Sequence, residues 1–280
     1  MKKVLVCLDG SERSERSLPW VRLLARKSEI VLLRVVEPVY ALDVYASALS
    51  QELQEAAEVY LKKIASTFSP APKTIFRLGP SAHSILEVAK DQGADLIAIT
   101  THGGADIGRR LFGGTAEKLI HSSEVPLLIV PSWREAAPPK GRISTIVAPL
   151  DGSDVSEKIL PLARRFAEQH DAELILAHVL TGPEEVRKRF AEIDGHFQGL
   201  ATRMRDRWVK VRTLIKYGRA VEEILDVTTQ TGADIVVMSA HGYGALKRIF
   251  VGSVASRVIG EAGVPVIVAN HHALTRQPRA

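Results

Sequence analysis

The sequence predicts an α/β protein made of two tandem domains, each a doubly wound, five-stranded parallel sheet. Strand-sized apolar runs alternate with segments of helical periodicity, which is typical of a parallel sheet covered by helices on both faces. The series occurs twice, because Gly93-Ala94-Asp95 reappears as Gly232-Ala233-Asp234 before a matching apolar run, and 280 residues is the length of two ordinary domains. We therefore predict a first domain over residues 1–132, a proline-rich linker over 133–141 and a second domain over 142–280.

The first half follows this alternation from its N-terminus. The apolar run 3–8 ends in Asp9-Gly10-Ser11, and a helix over 14–27 repeats apolar residues every three to four positions. A later helix is expected to have Ser81 as its cap and to end at Gly93, because serine favours helix N-termini and glycine favours the position after the last turn. The remaining predicted elements are strands 30–36, 74–78, 95–99 and 127–130, and helices 51–67 and 115–121.

The second half repeats the series with its own Asp151-Gly152-Ser153 turn. A polar helical region over 184–207 contains Gly195 and Gly199, which are candidate interruptions because glycine destabilises a helix interior. Right-handed crossovers place the first strand of each domain beside its fourth, and ligands of such sheets bind beyond the carboxyl ends of the strands. The other predicted elements are strands 143–150, 173–179, 209–215, 234–238 and 264–268, and helices 157–168, 221–229 and one that begins at Gly252.

Composition excludes several classes of protein. Hydrophobic content of 46% and charged content of 25% are ordinary globular values, and no apolar run is long enough for a membrane span or a signal peptide. One cysteine excludes an intramolecular disulfide and fits a reducing compartment, so we expect a cytoplasmic protein. The net charge of +5 is concentrated between residues 187 and 219. We interpret this region as a solvated helix face and expect no nucleic-acid partner, because aromatic residues are few and no nucleic-acid-binding motif is present.

A glycine loop follows the fourth strand of each half. In the second half, Ser239-Ala240-His241-Gly242 is followed by nine residues and then by Gly252-Ser253, where a helix begins. In the first half, His102-Gly103 is followed by nine residues and then by Gly113-Gly114. Backbone N–H groups at a helix N-terminus attract anions, and glycine lets that backbone approach a ligand closely. The loops therefore predict phosphate sites.

Other residues near the loops have more than one interpretation. Asp9 and Asp151 would contact a ribose or hold a phosphate-bound metal ion, or else they belong to ordinary turns and caps. His102 and His241 fit local hydrogen bonding better than metal binding, since no further ligands follow at metal spacing. Arg109 and Arg248 coincide inside the loops and either reach phosphates or are solvated. A Walker lysine loop, a dinucleotide fingerprint and a nucleophile elbow are all missing from the sequence.

Taken together, these motifs resemble the universal stress protein family over essentially the whole chain, as two copies. The resemblance rests on the Asp-Gly-Ser turns, the Gly-Ala-Asp tripeptides, the spacing of the glycine loops and the final Val-Pro-Val-Ile-Val run. It implies a Rossmann-type fold of the adenine nucleotide α-hydrolase-like kind and an adenine nucleotide pocket. It also implies an internal pseudo-dimer in which the edges Leu127–Val130 and Val266–Ala269 pair, while a homo-dimer stays open. Such apolar edges need covering.

The family motif carries over onto particular residues of each copy. In the first copy, Thr100 replaces the motif's first glycine, and Gly114 stands where a phosphate-binding hydroxyl belongs. In the second copy the departure is Ser239. The resemblance therefore implies that the second copy binds ATP, alone or with Mg at Asp151, and that the first binds weakly or not at all. The implied site residues are Pro149, Asp151, Val179, Ser239, His241, Gly242, Gly252, Ser253 and Val254 in the second copy, and Asp9, Val35, Gly103, Gly113 and Gly114 in the first.

The function implied by the resemblance is that of an ATP-binding regulatory protein that acts as a nucleotide-dependent switch in the stress response. Two alternatives stay open at this point. One is a nucleotide hydrolase with slow ATPase activity, for which the sequence offers no evident general base. The other is a scaffold whose pockets are vestigial.

Overall fold

The computed structural model describes residues 1–37, 46–102, 113–133, 141–182, 190–205, 209–242 and 251–275. The strands of the first half are β1 Lys3–Cys7, β2 Glu29–Val36, β3 Lys73–Leu78, β4 Leu96–Thr100 and β5 Leu127–Val130. Its helices are α1 Glu12–Glu15, α2 Ser17–Leu24, α3 Ala46–Ala65, α4 Ser81–Gln92 and α5 Gly114–Ser122. The strands of the second half are β6 Thr145–Pro149, β7 Glu173–Leu180, β8 Lys210–Tyr217, β9 Ile235–Ser239 and β10 Val266–Ala269. Its helices are α6 Asp154–Glu157, α7 Leu160–His170, α8 Phe190–Met204, α9 Ala220–Gln230, α10 Ser253–Glu261 and α11 His271–Thr275.

All of these strands form one sheet, in the order β3-β2-β1-β4-β5-β10-β9-β6-β7-β8. Within each half the strands are parallel and the first strand lies beside the fourth, as the crossover rule predicts. The halves meet where β5 pairs antiparallel with β10, with Leu128 opposite Ile267. This pairing covers the two apolar edges that the sequence left exposed.

Two hydrophobic clusters, one on each face of the sheet, hold the halves together. The first cluster includes Leu24 of α2 and Phe166 of α7. The second includes Leu119 of α5 and Val258 of α10. Because each cluster draws on both halves, the interface between the halves has an apolar interior on both faces of the sheet.

Three expectations about the helices are wrong in detail. The helices predicted over 14–27 and 157–168 break, and α1 and α6 end at Glu15 and Glu157. Four residues later stand Pro19 and Pro161, whose rings would clash with the carbonyl groups of those two glutamates in a continuous helix.

The other two corrections concern a cap and a pair of glycines. Pro80, not Ser81, is the N-cap of α4, and the N–H of Ser81 donates instead to Oε1 of Glu37 at 2.8 Å. Helix α8 continues through Gly195 and Gly199 without interruption. Gly93 does end α4, in the left-handed conformation that favours glycine. Within the described ranges, none of the helices has the length and hydropathy needed to cross a membrane.

Candidate functional site

The Asp-Gly-Ser turns adopt the same geometry at the ends of β1 and β6. Oδ1 of Asp9 accepts hydrogen bonds from the N–H and hydroxyl of Ser11 at 2.9 and 2.6 Å. Oδ1 of Asp151 accepts the same two bonds from Ser153 at 3.0 and 2.6 Å. Each serine is also the N-cap of the short helix that follows. One carboxylate oxygen of each aspartate therefore serves the turn, as the alternative interpretation of these residues expected.

The other oxygen of Asp151 faces the glycine loop. A Cβ atom built on Gly242 would lie 2.0 Å from Oδ2 and 3.0 Å from Cγ of Asp151. A side chain at this position would therefore displace the Asp151 carboxylate. The structure thus brings the turn after β6 and the loop after β9 into contact. The matching glycine of the first half, Gly103, lies outside the described residues.

The far end of the loop forms a helix N-terminus without a side-chain cap. Gly252 is the N-cap of α10, its N–H donates to the Ala240 carbonyl at 2.9 Å, and its Cβ position would lie 3.3 Å from the same carbonyl oxygen. Ser253, the first residue of α10, is exposed. In the first half Gly113 is the uncapped N-cap of α5 and Gly114 is its first residue. The structure therefore aligns Gly114 with Ser253.

A hydroxyl side chain at the start of each glycine loop forms a hydrogen bond within that loop. Ser239, which is 8% exposed, donates through Oγ to the His241 carbonyl at 2.7 Å. Thr100 donates through Oγ1 to the His102 carbonyl at 3.0 Å. Both residues depart from the motif's first glycine, and both use the added side chain to hold the turn of their loop. Sequence reasoning missed this role, although a hydroxyl at both positions was the signal for it.

The apolar site residues gather on one face of the sheet. Val179 and Val254 both pack against the cluster that contains α9 and α10, and Val35 packs at the corresponding place in the first half. Pro149 is the buried last residue of β6 and pairs with Ala177. Apolar side chains therefore lie at the carboxyl edge of the second half, on the face of the sheet that carries α9 and α10.

The two halves differ in charge around their turns. Arg34 and His178 occupy equivalent positions in β2 and β7. Arg34 lies five residues after Glu29, which pairs with Lys3, and His178 lies five residues after Glu173, which pairs with Thr145. The guanidinium of Arg34 lies 2.8–3.1 Å from where a Cβ on Gly10 would be. The imidazole of His178 has Nδ1 2.9 Å from the Leu150 carbonyl oxygen, and its Cε1 lies 3.9 Å from where a Cβ on Gly152 would be. A guanidinium therefore lies against the first turn, where the second turn has an imidazole at a greater distance.

A histidine of the first half lies beside the second loop. The rings of His121 and His241 have centroids 6.4 Å apart and are tilted by 51°. Burial, and then the neighbouring His241, lower the pKa of His121, while Glu117 opposes the shift. No local sequence pattern indicates this contact, since the two residues are far apart in the chain.

The carboxylate of Asp151 is the candidate metal ligand of the second half. Among the described residues, no group of three or more histidine, cysteine, aspartate or glutamate side chains could hold a metal ion. Mg²⁺ is often bound through one or two carboxylates together with substrate phosphates and waters. Asp151 fits that kind of site, because its carboxylate is exposed and lies against the loop glycine.

Fold and site together define a duplicated, doubly wound α/β protein with a glycine-flanked helix N-terminus at the carboxyl edge of each half. A family model described as the universal stress protein family matches residues 1–131 and again 142–270. The chain therefore belongs to the universal stress protein family.

Individual relatives support the same conclusion. A universal stress protein of Mycolicibacterium smegmatis is 25% identical over an alignment of 289 residues, gaps included. The alignment covers 95% of this chain and 96% of that protein. Universal stress protein MJ0531 of Methanocaldococcus jannaschii is 34% identical over 136 residues, which cover 44% of this chain and 79% of that protein. The crystal structure of a universal stress protein from Archaeoglobus fulgidus has a TM-score of 0.76 at 21% identity and covers 96% of this chain and 98% of that one. That likeness confirms the fold class.

Proposed function

We propose that the chain is an ATP-binding regulatory protein whose second half binds ATP and whose first half binds it weakly or not at all. The observation that carries the proposal is the contact between Gly242 and Asp151, where a Cβ would lie 2.0 Å from the carboxylate. This contact joins the Asp-Gly-Ser turn that follows β6 to the glycine loop that follows β9. It forms at the edge of the sheet where such folds bind ligands.

Each site residue of the second half has a chemical role in this proposal. The N–H groups at the start of α10 and the hydroxyl of Ser253 donate to phosphate oxygens, and the helix dipole favours the negative charge. Asp151 holds Mg²⁺ together with the phosphates, or else accepts a hydrogen bond from the ribose. The apolar side chains of Val179 and Val254 contact the adenine. ATP bound in this way would bridge the turn and the loop, so that its presence or absence changes how the loop is held.

The first half differs from this arrangement in two ways. Gly114 supplies no hydroxyl where Ser253 does. Losing a hydrogen bond to a charged group costs about 1.5–3 kcal/mol, or about ten- to a hundredfold in affinity. The guanidinium of Arg34 also lies against Gly10 of the first turn, and we expect its positive charge to disfavour a cation at Asp9.

Isothermal titration calorimetry with Mg·ATP tests the hydroxyl of Ser253. We expect Ser253→Ala to weaken binding about ten- to a hundredfold, because one donor to a charged phosphate is lost. The matched control is Thr115→Ala, which removes an exposed hydroxyl one position further along the equivalent helix of the first half. Equal affinities for the wild type and Ser253→Ala, or a wild type that binds no ATP, would contradict the proposal.

The role of Asp151 is tested by titrating Asp151→Asn in Mg²⁺ and again in EDTA. Asparagine keeps an oxygen that accepts from Ser153, so the turn is retained while the charge is lost. If Asp151 holds the metal, the substitution weakens ATP binding in Mg²⁺ because a metal ligand is lost. In EDTA it does not weaken binding, because it removes a negative charge near the phosphates. Equal weakening under both conditions would assign Asp151 to the ribose instead.

Incubation with radiolabelled ATP separates a switch from a hydrolase. A switch holds ATP without steady turnover over many catalytic cycles. Steady multiple turnover that Asp151→Asn abolishes would overturn the switch and favour slow hydrolysis at the same site.

A further inference from the structure

The C-terminal end of α5, a helix of the first half, is held by the second half. Nδ2 of Asn270 donates to the carbonyl groups of Ile120 and His121 at 2.8 and 2.9 Å. Oδ1 of Asn270 accepts from the N–H of Ala273 at 2.9 Å, so the same side chain caps α11. Asn270 directly follows β10 and is 5% exposed. Two hydrogen bonds of this buried amide therefore fix the last turn of α5 against the second half, and the third holds the amide to α11.

This anchoring places His121 beside the second glycine loop. Its ring centroid lies 6.4 Å from that of His241, which directly precedes Gly242. The His241 carbonyl accepts from Ser239, and Gly242 lies against Asp151. A continuous series of contacts thus leads from a helix of the first half to the carboxylate of the second.

The arrangement is not repeated in the other direction. Helices α5 and α10 align without a gap from their N-caps, Gly113 and Gly252, so the residue that corresponds to His121 is Gly260. A glycine offers no ring to His102. The contact that His121 makes with His241 therefore has no equivalent between Gly260 of α10 and His102.

We propose that His121 is a positioning residue for the nucleotide site of the second half, supplied by the first half. It acts by packing on His241 and so restricting the backbone that leads into Gly242. The proposal rests on the proposed function, since the ligand is ATP at that site. Because His121 orders His241 before ATP binds, His241 has less conformational freedom to lose on binding. One immobilised side chain accounts for about three- to tenfold in affinity.

A double-mutant cycle measured by calorimetry with Mg·ATP tests the role. The proteins are the wild-type chain, His121→Ala, His241→Ala and the double variant. We expect His121→Ala to weaken binding about three- to tenfold in the wild-type background and to have no effect when His241 is already alanine. His121→Phe, which keeps an aromatic ring, should recover most of the affinity.

The control is His83→Ala on α4, an exposed histidine that pairs with Glu87 of its own helix. It should leave the affinity unchanged. Weakening by His121→Ala of the same size in both backgrounds would mean a general loss of structure and would overturn the proposal. No weakening in the wild-type background would overturn it as well.

A readout without nucleotide separates this proposal from the proposed function. The pKa of His121, followed by NMR of its imidazole, should rise in His241→Ala, because one of the causes that lower it is removed. An unchanged pKa refutes the contact whatever the chain binds. A raised pKa in a chain that binds no ATP means that the contact stands, while the proposed function and the positioning role both fail.

Discussion

The contact between the turn and the loop of the second half can be tested by adding one methyl group. In Gly242→Ala the new Cβ would lie 2.0 Å from Oδ2 of Asp151, whereas ordinary contacts begin at 3.4 Å, so the carboxylate must retreat by about 1.4 Å. We expect a shift of that size to break or lengthen the two hydrogen bonds that Asp151 accepts from Ser153, which are 3.0 and 2.6 Å long. The methyl group at position 242 therefore displaces the Asp151 carboxylate from its place in the turn.

The size of the effect follows from these bonds. Two hydrogen bonds at about 0.5–1.5 kcal/mol each give about 1–3 kcal/mol, with the lower range expected because Asp151 is exposed and can be rehydrated. The backbone of Gly242 is not in the left-handed region, so alanine also stabilises by about 0.4–1 kcal/mol through the unfolded chain. We expect the free energy of unfolding to fall by about 0.5–2 kcal/mol. ATP affinity should fall at least about tenfold, since the carboxylate leaves its place.

Urea denaturation of a double-mutant cycle measures this effect. Asp151→Ala removes the group that the methyl would strike, so Gly242→Ala in that background should cost nothing or be slightly stabilising. If Gly242→Ala has the same effect on the free energy of unfolding with and without the Asp151 carboxylate, the two residues do not meet as described. The reasoning about the site would then be refuted.

Three further predictions follow from individual residues. Gly114→Ser places a hydroxyl at the start of α5, and we expect about tenfold tighter ATP binding by the first half, measured by calorimetry with the second site weakened by Ser253→Ala. Unchanged binding would mean that the hydroxyl is not what the first site lacks. Burial first and Arg26 second lower the pKa of His170. The folded chain therefore binds fewer protons than the unfolded chain once the pH falls below the unfolded pKa of about 6.5. Stability is fully present above that pH and is lost as the pH falls towards the lowered pKa of the folded chain. His170→Gln should flatten this decline in urea midpoints, and an equal decline in the variant would contradict the assignment. Gly195→Ala, in a helix interior with nothing within 4 Å of its Cβ position, should raise the free energy of unfolding by about 0.5–1 kcal/mol, and a loss of stability would show strain there.

The sequence was sufficient for the features that depend on local patterns. The position of the first strand of each half beside its fourth follows from the alternation of apolar runs and helices together with the handedness of crossovers. The pairing of β5 with β10, which the family resemblance implied, is present in the structure. The matching positions of Gly114 and Ser253 could be predicted because both are counted from a glycine at a helix start.

Features that depend on contacts distant in sequence could not be predicted. Ser81 is a common capping residue, yet the extended backbone of Pro80 takes the cap, and Glu37, from the end of β2, accepts the hydrogen bond. His121 meets His241 only because the antiparallel pairing of β5 with β10 brings α5 to the second loop. Neither contact has a pattern in the local sequence.

Arg34 is an intermediate case. A charged residue within an otherwise apolar strand signals that the side chain has a special partner. The register with β1 is needed to see that this partner is the Asp-Gly-Ser turn of the first half. The charge was therefore visible in the sequence, and its consequence for the site was not.

Native mass spectrometry of the full chain with Mg·ATP tests the central claim most directly, because it counts the nucleotides bound to each molecule. We predict one ATP per chain, kept in Asp9→Asn and lost or strongly weakened in Asp151→Asn. A chain that binds none, a chain that binds two equally well, or a loss of binding in Asp9→Asn instead would contradict the claim that the second half is the nucleotide site.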